Sequence, residues 1–223
     1  MSSSIFFKNK NKGLPREALA KWGFTLVELI VVMSIATVIM TALIIQQSKW
    51  NDRLTVNTQA YELALMIRQA QIYSLGVRED MAGGGGFDVG YGVYFDKDYV
   101  DVNGKINRYI FFADKNNADI GKYDAGDAII ETKTFTRGVI IDEFCGTKGN
   151  GQNDDRCAPG AGNVVMLNIT FFRPDPKANI LFLNNGGQST NIIPPAKIYL
   201  KSLGGKEYSV NVEANGQISI IQI

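Results

Sequence analysis

The sequence predicts an α+β protein: a long N-terminal helix with a transmembrane first half, packed on a C-terminal antiparallel β-sheet or β-sandwich. Three observations predict it. No glycine lies between Gly23 and Gly76, and no proline between Gly23 and Pro159, so nothing punctuates a helix there. Phe24 to Ile45 is an apolar run of 22 residues whose only ionisable side chain is Glu28. After Gly83-Gly84-Gly85-Gly86 the helical period ends, and short alternating runs rich in β-branched and aromatic residues take over. The predicted limits are 1–23 for a leader, 24–45 for the apolar helix, 46–76 for its amphipathic continuation and 77–223 for an exported β-rich domain.

The leader carries Lys8, Lys10, Lys12, Arg16 and Lys21 against Glu17, a side-chain balance of +4. Basic residues flanking a span hold that end in the cytoplasm, which sends everything after Ile45 across the membrane. As a helix, Phe24 to Ile45 is about 33 Å long, against a hydrocarbon core of about 30 Å. A secretory signal places its cut after the apolar stretch at a small-x-small site. Ala42 is followed instead by Leu43-Ile44-Ile45, so the helix is expected to stay in the mature protein. A carboxylate at membrane depth costs about 2.5–3.5 kcal/mol on insertion scales, which gives Glu28 a need for a partner. The plainer alternative is a signal anchor that tolerates one polar residue.

From Gln46 to Leu75 the helix turns polar but keeps an apolar stripe at Val56, Ala60, Leu63, Ile67 and Ala70, in steps of four and three. That face is expected to pack on a sheet. Predicted strands follow at Tyr91–Phe95, Ile106–Phe112, Ile129–Phe135, Val139–Phe144, Val164–Phe172 and Ile180–Leu183. The two runs around Gly138 are expected to pair with each other. The tail reads as a meander of Lys197–Leu203, Lys206–Val212 and Gln217–Ile223, joined by Gly204-Gly205 and Asn215-Gly216.

Composition narrows the chemistry. Among 223 residues there is no histidine, which removes the commonest general base and zinc ligand. Beyond the leader, 18 basic residues face 21 acidic ones, a balance of −3 that does not favour nucleic acid as a partner. Gly83–Gly86 lacks the lysine and strand-loop-helix setting of a phosphate cradle. Asp142 and Glu143 are adjacent, so on a regular strand they face opposite sides. No nucleophile with an orienting base is found, and the chain is expected not to be an enzyme. Cys145 and Cys157 bracket eleven polar, glycine-rich residues, which in an exported domain reads as a disulfide staple rather than two free thiols.

The segment Gly23-Phe24-Thr25-Leu26-Val27-Glu28-Leu29-Ile30-Val31-Val32 resembles the class III signal of type IV pilins and type II secretion pseudopilins. The motif spans about ten residues, and the apolar helix extends the match to about fifty. The resemblance implies a pilin-like fold and a membrane-bound prepilin peptidase that cuts between Gly23 and Phe24 and methylates the new terminus. It also implies assembly into a helical filament with other pilins through an inner-membrane platform. Before assembly the chain would sit in the bacterial cytoplasmic membrane with its globular domain outside. Cleavage would leave an α-amine at Phe24 one helical turn from Glu28. The two charges could pair within one helix, or Glu28 could meet the Phe24 amine of a neighbour and fix the axial offset between subunits. The order of helix, strands, Phe172-Arg173-Pro174 and a final hairpin through Ile218-Ser219-Ile220 resembles the GspH/FimT type, a minor component. The family's major pilins often carry their disulfide near the C-terminus, whereas Cys145 and Cys157 lie mid-domain. An exported binding module on a membrane anchor is the alternative from another class.

One loop has the composition of a calcium site. Asp114, Asn116, Asp119, Asp124 and Asp127 lie between two predicted strands and resemble a D-x-N-x-D-G loop, with hard oxygen donors for a hard cation. Ala118 stands at the usual third acidic position, and an aspartate ends the loop where a bidentate glutamate is usual. Turns alone also favour Asp, Asn and Gly, so a solvated loop is the competing reading.

Overall fold

The computed structural model describes residues 23–76, 89–98, 104, 106–115, 120–148, 155–158 and 164–223. The chain divides into two units, Met1–Ile45 and Gln46–Ile223, and helix α1 (Leu26–Leu75) contributes to both. In the first unit, every residue from 23 to 45 is exposed. Its hydroxyls are satisfied within the helix: Ser34 donates to the Ile30 carbonyl, Thr37 to that of Ser34 and Thr41 to that of Thr37. By length and composition α1 can cross a membrane.

In the second unit α1 buries the predicted stripe. Val56, Ala60, Leu63, Ile67 and Ala70 are fully buried, because residues three and four apart share a helix face. They join one core with the inner faces of two antiparallel sheets. The first sheet runs β3 (Ala128–Thr134), β2 (Arg108–Asp114), β1 (Gly90–Asp96), β6 (Met166–Phe172), β7 (Asp175–Leu183). The second runs β10 (Ile218–Gln222), β9 (Glu207–Val212), β8 (Ile192–Lys201), β4 (Ile140–Lys148), β5 (Asp155–Ala158). Val93, Phe95, Phe111, Ile169 and Phe171 face this core from one sheet, and Phe144, Ile198, Leu200, Val210 and Val212 from the other. A long helix followed by antiparallel sheets is therefore the observed architecture.

Polar contacts seal the helix end. Gln71 Nε2 donates to the carbonyls of Pro176 (2.9 Å) and Gly216 (3.2 Å), and Arg173 Nη2 donates to that of Gly76 (3.2 Å). These bonds satisfy carbonyls at the end of α1, at the start of β7 and at the β9–β10 turn.

Each predicted run overlaps an observed strand, β7 beginning at Asp175 rather than Ile180, and the tail is the expected β8–β9–β10 meander. One pairing is corrected. β3 and β4 do not pair: β3 lies on β2 in the first sheet, and β4 lies between β8 and β5 in the second. The link holds two left-handed residues, Arg137 (φ 54) and Gly138 (φ 72), and serves as a crossing between sheets rather than a hairpin turn. β5 overlaps the polar stretch between Cys145 and Cys157, where the sequence predicts no strand. β8 begins earlier than expected and includes Pro194 and Pro195, where its ladder with β4 is interrupted because proline offers no N–H.

Candidate functional site

The head of α1 is built by Thr25. Its carbonyl accepts the first helical bond from Leu29 N–H (3.1 Å), and its Oγ1 accepts from Glu28 N–H (3.2 Å). Thr25 is thus the N-cap, and Thr25-Leu-Val-Glu28 has the spacing of a capping box. The T-x-x-E spacing of Thr25 and Glu28 is the sequence signal for this helix-start role, which stands beside the charge pairing expected of Glu28. In the first turn, a carboxylate also sits favourably against the helix dipole, worth about 0.3–1 kcal/mol. Among the described residues the Glu28 carboxylate has no hydrogen-bond or ion-pair partner. Gly23 and Phe24 are exposed just ahead of the cap. A Cβ on Gly23 would meet nothing within 4 Å, and its φ lies outside the left-handed range, so the fold places no demand for glycine there.

The second half of α1 exposes an apolar set opposite its buried stripe: Trp50, Leu54, Tyr61, Leu65 and Ile72. Their spacing of four and seven keeps them on one face. This stripe is readable from period alone, on the face away from the core stripe.

The acid-rich loop is not simply solvated. Tyr123 packs on the outer face of the first sheet, 4.7 Å from the Tyr94 ring and 5.1 Å from Phe112, and its N–H donates to Asn168 Oδ1 at 2.9 Å. Asp114 is buried and accepts from Gly121 N–H (2.6 Å); Gly121, at φ 89, lies against Thr170 and Asn179, where a Cβ would collide. Asp127 accepts from the amides of Lys115 and Asp124, both at 2.9 Å, and Asp124 accepts from Gly126 N–H at 2.6 Å. Burial, followed by the nearby charges of Asp127 and Asp124, pushes the Asp114 carboxyl up to about 6 despite its bond from Gly121. Asn116 and Asp119 lie outside the described residues. Among the described residues, no group of three or more Asp, Glu, Cys or His is arranged to hold a metal ion. Asp114, Asp124 and Asp127 each accept hydrogen bonds from backbone amides of this loop.

Cys145 is buried and disulfide-bonded, and its Cα partner across the β4–β5 ladder is Cys157. The staple therefore ties two paired strands, not the two ends of a free loop. Asp142 is the extra residue of a β-bulge between Ile141 and Glu143, which breaks the alternation expected for the two acids. Burial, then Asp142 and Glu207, raise the Glu143 carboxyl, and Lys201 lies 2.7 Å from Glu207 and 3.4 Å from Asp142.

Comparison with family models, with curated proteins and with solved structures finds no match.

Proposed function

We propose that this chain is a structural filament subunit, a minor pilin or pseudopilin of the GspH/FimT type, cut by a prepilin peptidase after Gly23. One observation carries the reading. A basic leader ends in a glycine that the fold does not need, directly before a capped, fully exposed apolar helix whose one acid has no partner among the described residues. Cleavage at that point supplies the missing charge as the α-amine of Phe24. Neighbouring subunits would cover the Phe24–Ile45 segment, and the exposed stripe from Trp50 to Ile72 gives the helix a second apolar face for such packing. The long helix followed by antiparallel sheets is compatible with a pilin-like architecture.

Mass spectrometry of the protein isolated from its own cells tests this reading. The expected terminus is a methylated Phe24. A mature chain that still begins at Met1, or that starts beyond Ile45, overturns it. Without processing, the second reading remains: an exported binding module whose helix is only an anchor.

A further inference from the structure

Four strands lie at sheet edges: β3 and β7 in the first sheet, β10 and β5 in the second. Three are protected in the ways that sheet proteins avoid edge-to-edge contact. β3 carries the exposed ion pair Glu131–Lys133 at 2.6 Å. β7 begins with Asp175 and Lys177, paired at 2.9 Å, and further along its Phe182 carbonyl accepts from Thr190 N–H at 2.8 Å. β5 is a very short edge strand of four residues, Asp155–Ala158. β10 reads Ile-Ser-Ile-Ile-Gln, with no charge, no proline and no glycine.

The register of β10 shows which backbone groups are free. Among the described residues its only partner is β9, from Ile218 opposite Val212 to Gln222 opposite Tyr208. Glu213 N–H donates to the Gln217 carbonyl (2.9 Å) and Ile223 N–H to the Glu207 carbonyl (3.2 Å), so residues 217, 219, 221 and 223 turn their backbone groups toward β9. Alternation then points the N–H and C=O groups of Ile218, Ile220 and Gln222 outward. Among the described residues these groups have no partner. The side chains of Ile218 and Ile220 pack on the core, while Ile221, on the opposite face, is exposed.

We propose that β10 is a homotypic docking edge, on which a second copy of this chain adds its own β10 antiparallel, Ile220 opposite Ile220. The match is set by register. A two-fold axis at Ile220 places Ile218 opposite Gln222 and Ile220 opposite itself, so every outward-facing residue meets an outward-facing residue and each pair exchanges two N–H···O=C bonds. No charge is desolvated and none is repelled, because both strands are uncharged. The two second sheets then join into one. This pairing does not rest on the filament reading, since it uses only β10.

In such a pair Ser219 lies opposite Ile221 of the second copy at a non-hydrogen-bonded position, where Cα atoms are about 4.5 Å apart, within disulfide reach. The test uses the full chain in detergent micelles. S219C and I221C proteins are prepared separately, given different mass tags, mixed and mildly oxidised. A covalent S219C–I221C dimer is expected at several-fold the yield of either variant alone. Equal yields in all three samples overturn the pairing, and same-site dimers in excess overturn its antiparallel sense. A charge exchange guards against misfolding. S219K/I221K places like charges directly opposite each other, and S219E/I221E does the same with the opposite sign. Energy transfer between fluorescently labelled copies is expected to fall in each variant alone and to return when the two are mixed. Transfer at the wild-type level in the lysine variant alone overturns the proposal.

Discussion

At the residue scale, the buried acid Asp114 has a consequence that can be measured. Its folded-state value of about 6 lies above the ordinary 3.8, because burial disfavours the charged form. Between these values the folded chain holds a proton that the unfolded chain has lost. The stability this contributes is present in full below about pH 4 and is lost as pH rises through about 6. The D114N variant keeps an oxygen to accept from Gly121 N–H but does not titrate. In a chelator, to keep the loop free of calcium, melting temperatures from pH 4 to 7 should fall less steeply for D114N than for the wild type. Parallel curves for the two proteins would remove the assigned role of this carboxyl. Thr25 teaches a related lesson about local signals. Its cap on Glu28 N–H was open to reading from four residues, since the bond is local and needs no tertiary partner.

At the element scale, α1 was legible because period alone decides which side of a helix is buried: all five predicted stripe residues are fully covered. The strands were legible as runs, but their partners were not. β3 and β4 are neighbours in sequence, and each alternates acceptably, yet β3 joins β2 in one sheet and β4 joins β8 and β5 in the other. The disulfide now belongs to the β4–β5 pair. Replacing Cys145 and Cys157 with serine should cost about 3 kcal/mol of unfolding free energy, the entropy of a closed loop of this size. Urea denaturation measures it, and an unchanged midpoint would mean that the β4–β5 ladder holds without the staple. Calorimetry with calcium decides between the two readings of the acid-rich loop: no heat and no melting shift would leave it a loop held by backbone hydrogen bonds alone. Heat that disappears in D127N would instead assign the loop to the cation.

At the scale of the whole molecule, the proposed filament depends on Glu28. The E28V variant should insert in the membrane as the wild type does but fail to enter filaments, since no carboxylate remains for a neighbour's Phe24 amine. E28Q, which keeps the capping-box shape without the charge, should fail in the same way; normal incorporation of E28Q would reduce Glu28 to a helix-start residue. Shearing and immunoblotting of the surface fraction distinguishes these outcomes. The helix from Leu26 to Leu75 and nine of the strand runs were legible in sequence alone, because hydropathy, helical period and capping act between residues a few positions apart. The sharing of strands between two sheets, the burial of Asp114 beside Gly121 and the β10 edge were decided only by tertiary structure. Each depends on which distant strands share hydrogen bonds, and no local spacing encodes that.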